Sequence, residues 1–455
     1  MKALLTMLGI IFSCSMALLN CTSPGLNELS LEVGMARSDI SGEEAEILDP
    51  LMVKAMVIRQ GDEIFSIVAC DIIKSQRELS RPVREQAAKA TGIPYENICI
   101  AATHTHMGMP VKENLVPIIV ETIVKAKENL EPVIMKSGTG KEFTVAFNRR
   151  YYMKDGSVRF NPMFLNPDIV RAVGPIDAEI GFAVFYDADD GTPTASVSNY
   201  SIHPDIAKLY GAVYQKEGEG SRNSVSADYP YFIEEMLREE LGSEFNSLFV
   251  TGCCGNINHW DFSKPGPQSG YEKSRQVGEA LAGAILDVLP ESKEETPGLA
   301  SRTRTIDVPI RPYSDEELKW AEDLRDQQLS NRSEEMSERQ SFLDKIAMNR
   351  ILWCHKMKQE GRTTMDIDVQ VFRLSDKTAI VAFPGEMFVE HGLTVKNLSP
   401  FDNTIVMAYS NDAFSYWPNK LAFKQGGYEV ENSYMAKGAG EMAVLTAVEM
   451  LMELN

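Results

Sequence analysis

The sequence predicts an α/β domain built on a large mixed sheet with flanking helices, and two observations predict it. Five short β-branched or apolar runs stop abruptly at polar or glycine-rich residues, and amphipathic helical patterns lie between them. In such sheets ligands settle beyond the carboxyl ends of the strands, so the polar stops are candidates for one shared site.

The runs come in a clear order. Ile98 to Ala102 stops at Thr103-His104-Thr105-His106, and Ala195 to Ile202 stops at His203-Pro204. Leu248 to Thr251 meets Gly252-Cys253-Cys254-Gly255, Ala379 to Phe383 meets Pro384-Gly385-Glu386, and Thr404 to Tyr409 meets Ser410-Asn411. Helical spacing covers Ser80 to Thr91, Val116 to Glu128, Tyr231 to Leu241, Tyr271 to Leu289 and Gly440 to Leu454. Residues 313–362 differ, because Ser314-Asp315-Glu316-Glu317 opens a charged stretch with helical spacing. A capping serine followed by first-turn acids is a helix start, so this stretch is predicted as a helical insertion on the domain surface.

The chain has 455 residues, 44% of them hydrophobic, which is enough for one large core. With 45 Lys+Arg against 65 Asp+Glu it carries a formal charge of −20 and no basic stripe, which argues against a nucleic-acid partner. No repeat and no linker divides it, so residues 21–455 are read as one domain. Residues 1–20 join one lysine to an apolar run, the layout of a signal peptide and not of a spanning helix. Leu18-Leu19-Asn20-Cys21 resembles a lipobox, with Cys14 as a rival position, so the expectation is an exported protein, periplasmic or on the outer surface, held to the membrane by a lipid on Cys21. Cys70, Cys99, Cys253, Cys254 and Cys354 form no CxxC and are read as buried structural thiols.

Only six histidines occur, and three stand at or just after a strand end. Residues two apart in an extended segment share a face, so His104 and His106 can look into one cavity. Alone, such a pair equally describes two hydrogen-bonding loop histidines. Adding His203 and Glu386 from other strand ends supplies the imidazole and carboxylate mixture that zinc accepts. His355 lies inside the charged insertion and is read as an ordinary helix residue.

Taken together, these motifs resemble the neutral, non-lysosomal ceramidase family over nearly all of residues 21–455. The resemblance rests on Asp39-Ile40-Ser41-Gly42, Thr103-His104-Thr105-His106-Met107-Gly108, Phe147-Asn148-Arg149, His203-Pro204 and Ser226-Ala227-Asp228-Tyr229-Pro230. It continues through Gly252 to Asn258, Pro384-Gly385-Glu386 and the Tyr416 to Tyr428 segment, all in the family's order. It implies the ceramidase catalytic-domain fold and a zinc-dependent amidohydrolase with one Zn2+ per chain, held by His104, His203, Glu386 and Tyr416. It further implies that His106 faces the substrate, that Arg149 binds a substrate oxygen and that Tyr428 hydrogen-bonds the scissile amide oxygen. A phenol aimed at an oxygen that gains charge in the reaction acts selectively there.

Two departures bear on the substrate. Asn256, Asn258 and His259 stand where ceramidases carry Asp, Ser and Pro, and an asparagine cannot replace that serine as a nucleophile. Zinc lowers the pKa of water, so hydrolysis needs no side-chain nucleophile, and Asn258 is expected to position substrate instead. Neither Cys253 nor Cys254 stands at the serine position. The loop after His106 is short, and the resemblance closes at the helix Gly438 to Leu454, with no immunoglobulin-like domain expected. The leading reading is an exported zinc hydrolase of an N-acyl amide or related ester, with a small lipid-like substrate. The alternatives are a metal enzyme of the same fold acting on a polar, carbohydrate-derived substrate through Arg149, His106, Asn258 and Trp417, and a non-catalytic surface binding protein.

Overall fold

Alternation along the strands dictates the architecture. In Met52–Gln60, Met56 and Ile58 join one buried cluster while Ala55 and Val57 join another. Thr364–Ser375 behaves alike, with Phe372 and Leu374 in the first cluster and Val369 and Val371 in the second. Both faces of these strands are therefore buried, one against another sheet and one against helices. The computed structural model describes residues 30–455 except 44, 110, 209–223, 267, 330–337 and 413–414. The signal peptide and Cys21 lie outside the described residues.

The larger sheet has eight strands: β1 (Leu31–Asp39), β2 (Met52–Gln60), β3 (Glu63–Cys70), β4 (Ile98–Ala102), β5 (Glu131–Lys141), β6 (Glu179–Asp187), β7 (Pro193–Tyr200) and β8 (Asn246–Thr251). Their spatial order is β8-β7-β6-β5-β1-β2-β3-β4. The outer pairs β7/β8 and β3/β4 are parallel and the inner pairs antiparallel, so the sheet is mixed as expected. The second sheet holds β9 (Pro297–Pro309), β10 (Thr364–Ser375), β11 (Thr378–Ala382) and β13 (Asn403–Met407); between the last two runs the short β12 (Glu386–Met387), which pairs in parallel with β14 (Tyr416–Trp417). β11 and β13 are parallel.

The two sheets pack through Phe65, Ile67, Phe185 and Leu248 on one side and Phe372, Ile380, Ile405 and Met407 on the other. Helices α1 (Arg77–Thr91), α2 (Leu115–Glu128), α3 (Tyr229–Leu241) and α4 (Tyr271–Val288) cover the outer face of the large sheet. A Cβ on Gly34 would lie 2.0 Å from the Ala126 carbonyl oxygen, and one on Gly140 would lie 2.2 Å from that of Ala284, so glycine there lets α2 and α4 seat directly on the strands. Helices α5 (Asp315–Leu329) and α6 (Glu338–Gln359) occupy the charged stretch; α7 (Val389–Leu398) and α8 (Ala439–Leu454) cover the second sheet. Ser314 Oγ accepts from the Glu317 N–H at 3.1 Å while Glu317 Oε2 accepts from the Ser314 N–H at 2.8 Å, a reciprocal cap that starts α5. No helix among the described residues is long and apolar enough to cross a membrane.

One stitch assembles the site. Segment 408–411, leaving β13, bonds both edges of the large sheet: the Ala102 N–H donates to Tyr409 O at 3.1 Å, and the Ala408 N–H donates to Thr251 O at 2.9 Å. The carboxyl ends of β4, β7, β8, β11 and β13 thereby meet at one place.

Candidate metal centre

His104 follows β4 in a left-handed backbone conformation, φ 68°, which is uncommon for a residue with a side chain and typical of positions held for function. Its Nδ1 lies 2.6 Å from Ile73 O. His203 Nδ1 lies 2.8 Å from Cys254 O and 3.0 Å from Ile257 O. Backbone carbonyls only accept, so both rings carry hydrogen on Nδ1 and present Nε2 as the donor atom. Asp228 supports the His203 loop by accepting from the Ile206 and Ala207 N–H groups at 2.8 and 3.0 Å, and from Ser274 Oγ at 2.6 Å.

These rings converge. Donor atoms of His104, His106 and His203 lie within 4.8 Å of one another. Glu386 Oε2 is 3.6 Å from His104 Nε2 and 3.5 Å from His203 Nε2. The three Nε2 atoms and Glu386 Oε2 are buried and make no hydrogen bond. Orphaned polar atoms around one point are rare in a folded interior, and a cation held by the His104, His203 and Glu386 atoms satisfies those three together while His106 Nε2 faces the same space. The residues therefore fit a divalent, borderline-soft ion such as zinc. Tyr416 stands beside Glu386 in the β12/β14 register, buried, with its ring 5.4 Å from that of Tyr428.

Protonation suits this assembly. Burial holds His104 well below the ordinary imidazole value and lowers His106 to about 4, so both rings are neutral at pH 7. Burial also lowers His203, but the Cys254 sulfur and the Glu386 carboxylate outweigh it and raise the ring to about 10, so a metal there competes with a proton. Against burial, the Lys74 ammonium and then the histidines hold the Glu386 carboxyl well below the usual range. Burial and Glu386 push the Tyr416 and Tyr428 phenols up.

Arg149 donates from Nε to Glu429 Oε1 at 2.9 Å and from an Nη to Gly255 O at 2.7 Å, and its guanidinium lies 5.4 and 5.7 Å from the ring centroids of Tyr416 and Tyr428. Tyr428 stacks between Phe160 at 4.7 Å and Phe342 of α6 at 5.7 Å, so the helical insertion reaches the rim of the site. All eight residues singled out in the sequence thus fall in this region. Asn258 is buried; its Nδ2 donates to Asn161 Oδ1 at 2.8 Å and its Oδ1 accepts from the Trp260 N–H at 3.0 Å. Trp417 is a 1% exposed core residue. His355 bonds Tyr313 and Gln359 on α6. The five described cysteines are all free and buried, and burial pushes the Cys253 thiol above its usual range.

Sequence reasoning missed Lys74, whose Nζ is 3.3 Å from Glu386 Oε1. The signal was the parallel β3/β4 register, Cys70 opposite Ala102, which carries residues 71–74 to the same end as residues 103–106.

A four-layer α/β/β/α domain with a buried His/Glu cluster at its strand ends defines the class. The chain is similar to neutral ceramidase from Pseudomonas aeruginosa, with a TM-score of 0.66 and 18% identity over 94% of this chain and 74% of that one. A ceramidase complexed with C2 gives a TM-score of 0.66 and 17% identity over 94% of this chain and 75% of that one. At these identities the likeness establishes a shared fold, the one the sequence resemblance implied. No family model and no curated protein matches the chain.

Proposed function

We propose that the protein is a metal-dependent hydrolase of an N-acyl amide or related ester with a lipid-like acyl group, using one zinc ion held by His104, His203 and Glu386 with Tyr416 beside them. The observation that carries the reading is the convergence of orphaned, buried nitrogen and carboxylate atoms. The shared fold with a neutral ceramidase supports the amide class. When bound, zinc supplies Lewis acidity, which lowers the pKa of water and polarises a carbonyl.

The chain's own groups do the rest. Tyr428, kept protonated by burial, donates its hydroxyl hydrogen to the amide oxygen as charge grows there. His106, neutral at pH 7 with Nε2 unengaged, holds a proton in transit. Arg149, anchored by Glu429, orients a substrate oxygen, and Phe160 and Phe342 fix the Tyr428 ring. The carbohydrate reading loses support because Trp417 is core and Asn258 is committed at both ends of its amide. A panel of N-acyl amides, acyl esters and glycosides, assayed with zinc and after chelation, tests the proposal: zinc-dependent amide or ester cleavage is expected, and turnover of glycosides alone would refute it. Export and a lipid on Cys21 belong to the same proposal; an intact mass showing an unmodified N-terminus elsewhere would remove the anchor.

A further inference from the structure

A second set of reactive side chains meets beside the metal centre. His259 Nε2 lies 2.9 Å from Ser269 Oγ, and His259 Nδ1 lies 3.2 Å from Asp205 Oδ1. His259 is 1% exposed, Asp205 is buried and Ser269 is half-buried.

The proton positions follow from donor chemistry. Trp260 Nε1 can only donate, and it gives its hydrogen to Ser269 Oγ at 3.0 Å. That contact occupies one lone pair and leaves the serine hydrogen for His259 Nε2. Asp205 Oδ1, 3.2 Å from Nδ1, does not reach hydrogen-bond geometry with it, but a carboxylate oxygen only accepts, so its nearness favours hydrogen on Nδ1 and leaves Nε2 to take the serine proton. Ser269 also immediately precedes Gly270, the residue that starts the 18-residue helix α4, and the positive end of a helix favours charge growing on a nearby oxygen. The surroundings are apolar. Phe164 lies 5.9 Å from Trp260 and 5.2 Å from Phe262 between ring centroids, with Met163 and Leu165 exposed alongside.

We propose that Ser269, His259 and Asp205 form a second, metal-independent acyl-transfer site for esters of apolar acids. Ser269 Oγ bonds to the ester carbonyl carbon and passes its proton to His259 Nε2. The bond from that carbon to the alcohol oxygen breaks, and the alcohol leaves with the proton. Water, losing a proton to the same nitrogen, then bonds to the acyl carbon; the free acid departs and Ser269 regains its hydrogen.

The test uses the full chain after exhaustive chelation and a fluorophosphonate probe, read by intact mass and peptide mapping. Attack by Ser269 on phosphorus expels fluoride and leaves one phosphonyl adduct. The expected result is an adduct on the Ser269 peptide that is absent from S269A and forms at least about 100-fold more slowly in H259Q and in D205N, with far-UV spectra confirming that the variants fold. No adduct on Ser269 under conditions that fully label a serine esterase overturns the proposal, and so does equal labelling of folded H259Q or D205N. The ion is absent from this assay, so its failure leaves the zinc reading untouched.

Discussion

Replacing Glu429 by Gln tests how the Arg149 and Arg150 guanidinium groups are held. Glu429 is 0% exposed and sits between two guanidinium groups, 2.9 Å from Arg149 Nε and 2.7 Å from an Arg150 Nη; their side chains are 6% and 1% exposed. Burial alone would raise this carboxyl, yet Arg150 and then Arg149 hold it below the usual range. Glutamine keeps the shape, removes the charge and turns an amide donor toward a guanidinium. Removing one partner of a buried ion pair leaves the other charge uncompensated, at a cost of about 3–5 kcal/mol. The unfolding free energy from urea titration followed by far-UV circular dichroism should fall by that amount, seen as a lower midpoint at constant slope. The double variant E429M/R150M, which removes charge from both sides, should be more stable than E429Q. A loss below about 1 kcal/mol in E429Q would refute the reasoning, because the carboxylate would then not be balancing the two arginines.

Two further outcomes are expected. Tyr428→Phe removes the donor to the developing oxyanion and should lower kcat on the order of 100-fold or more, whereas Asn258→Ala, which loosens the contact with Asn161, should cost far less; equal losses would remove Tyr428 from the mechanism. Burial raises the Asp49 carboxyl from 3.8 to about 7, although Ser226 Oγ and the Ala227 N–H donate to it, each at 2.6 Å. The native state then binds a proton that the unfolded chain has lost, so this contribution is full below about pH 4 and disappears as pH rises through 7, a change on the order of 4 kcal/mol. Wild type should therefore lose urea resistance from pH 5 to pH 8 and Asp49→Asn should lose less; identical pH dependence in both would contradict this.

The legible parts of the molecule share a physical cause. Strands such as Ile98–Ala102 and Thr378–Ala382 end where polar residues begin, because the site lies just past the buried sheet. That contrast marked His104, His203 and Glu386. Helices α1 to α4 and α8 were legible from amphipathic spacing, since one face of each is wet. The antiparallel strand β2 was harder to read, because Ala55 to Ile58 is a buried apolar run between a helix layer and the second sheet and offers no polar alternation. Lys74 escaped because its role depends on strand order, which no local pattern states. Residue type does not say that Trp417 is 1% exposed or that Asn161 and the Trp260 N–H already bond the Asn258 amide.

The central claim is that His104, His203 and Glu386 hold a metal ion. Elemental analysis of the purified protein equilibrated with zinc and desalted, compared with His203→Ala of unchanged far-UV spectrum, tests it most directly. The account predicts one zinc per wild-type chain and none in the variant, and stoichiometric zinc retained by folded His203→Ala would contradict it.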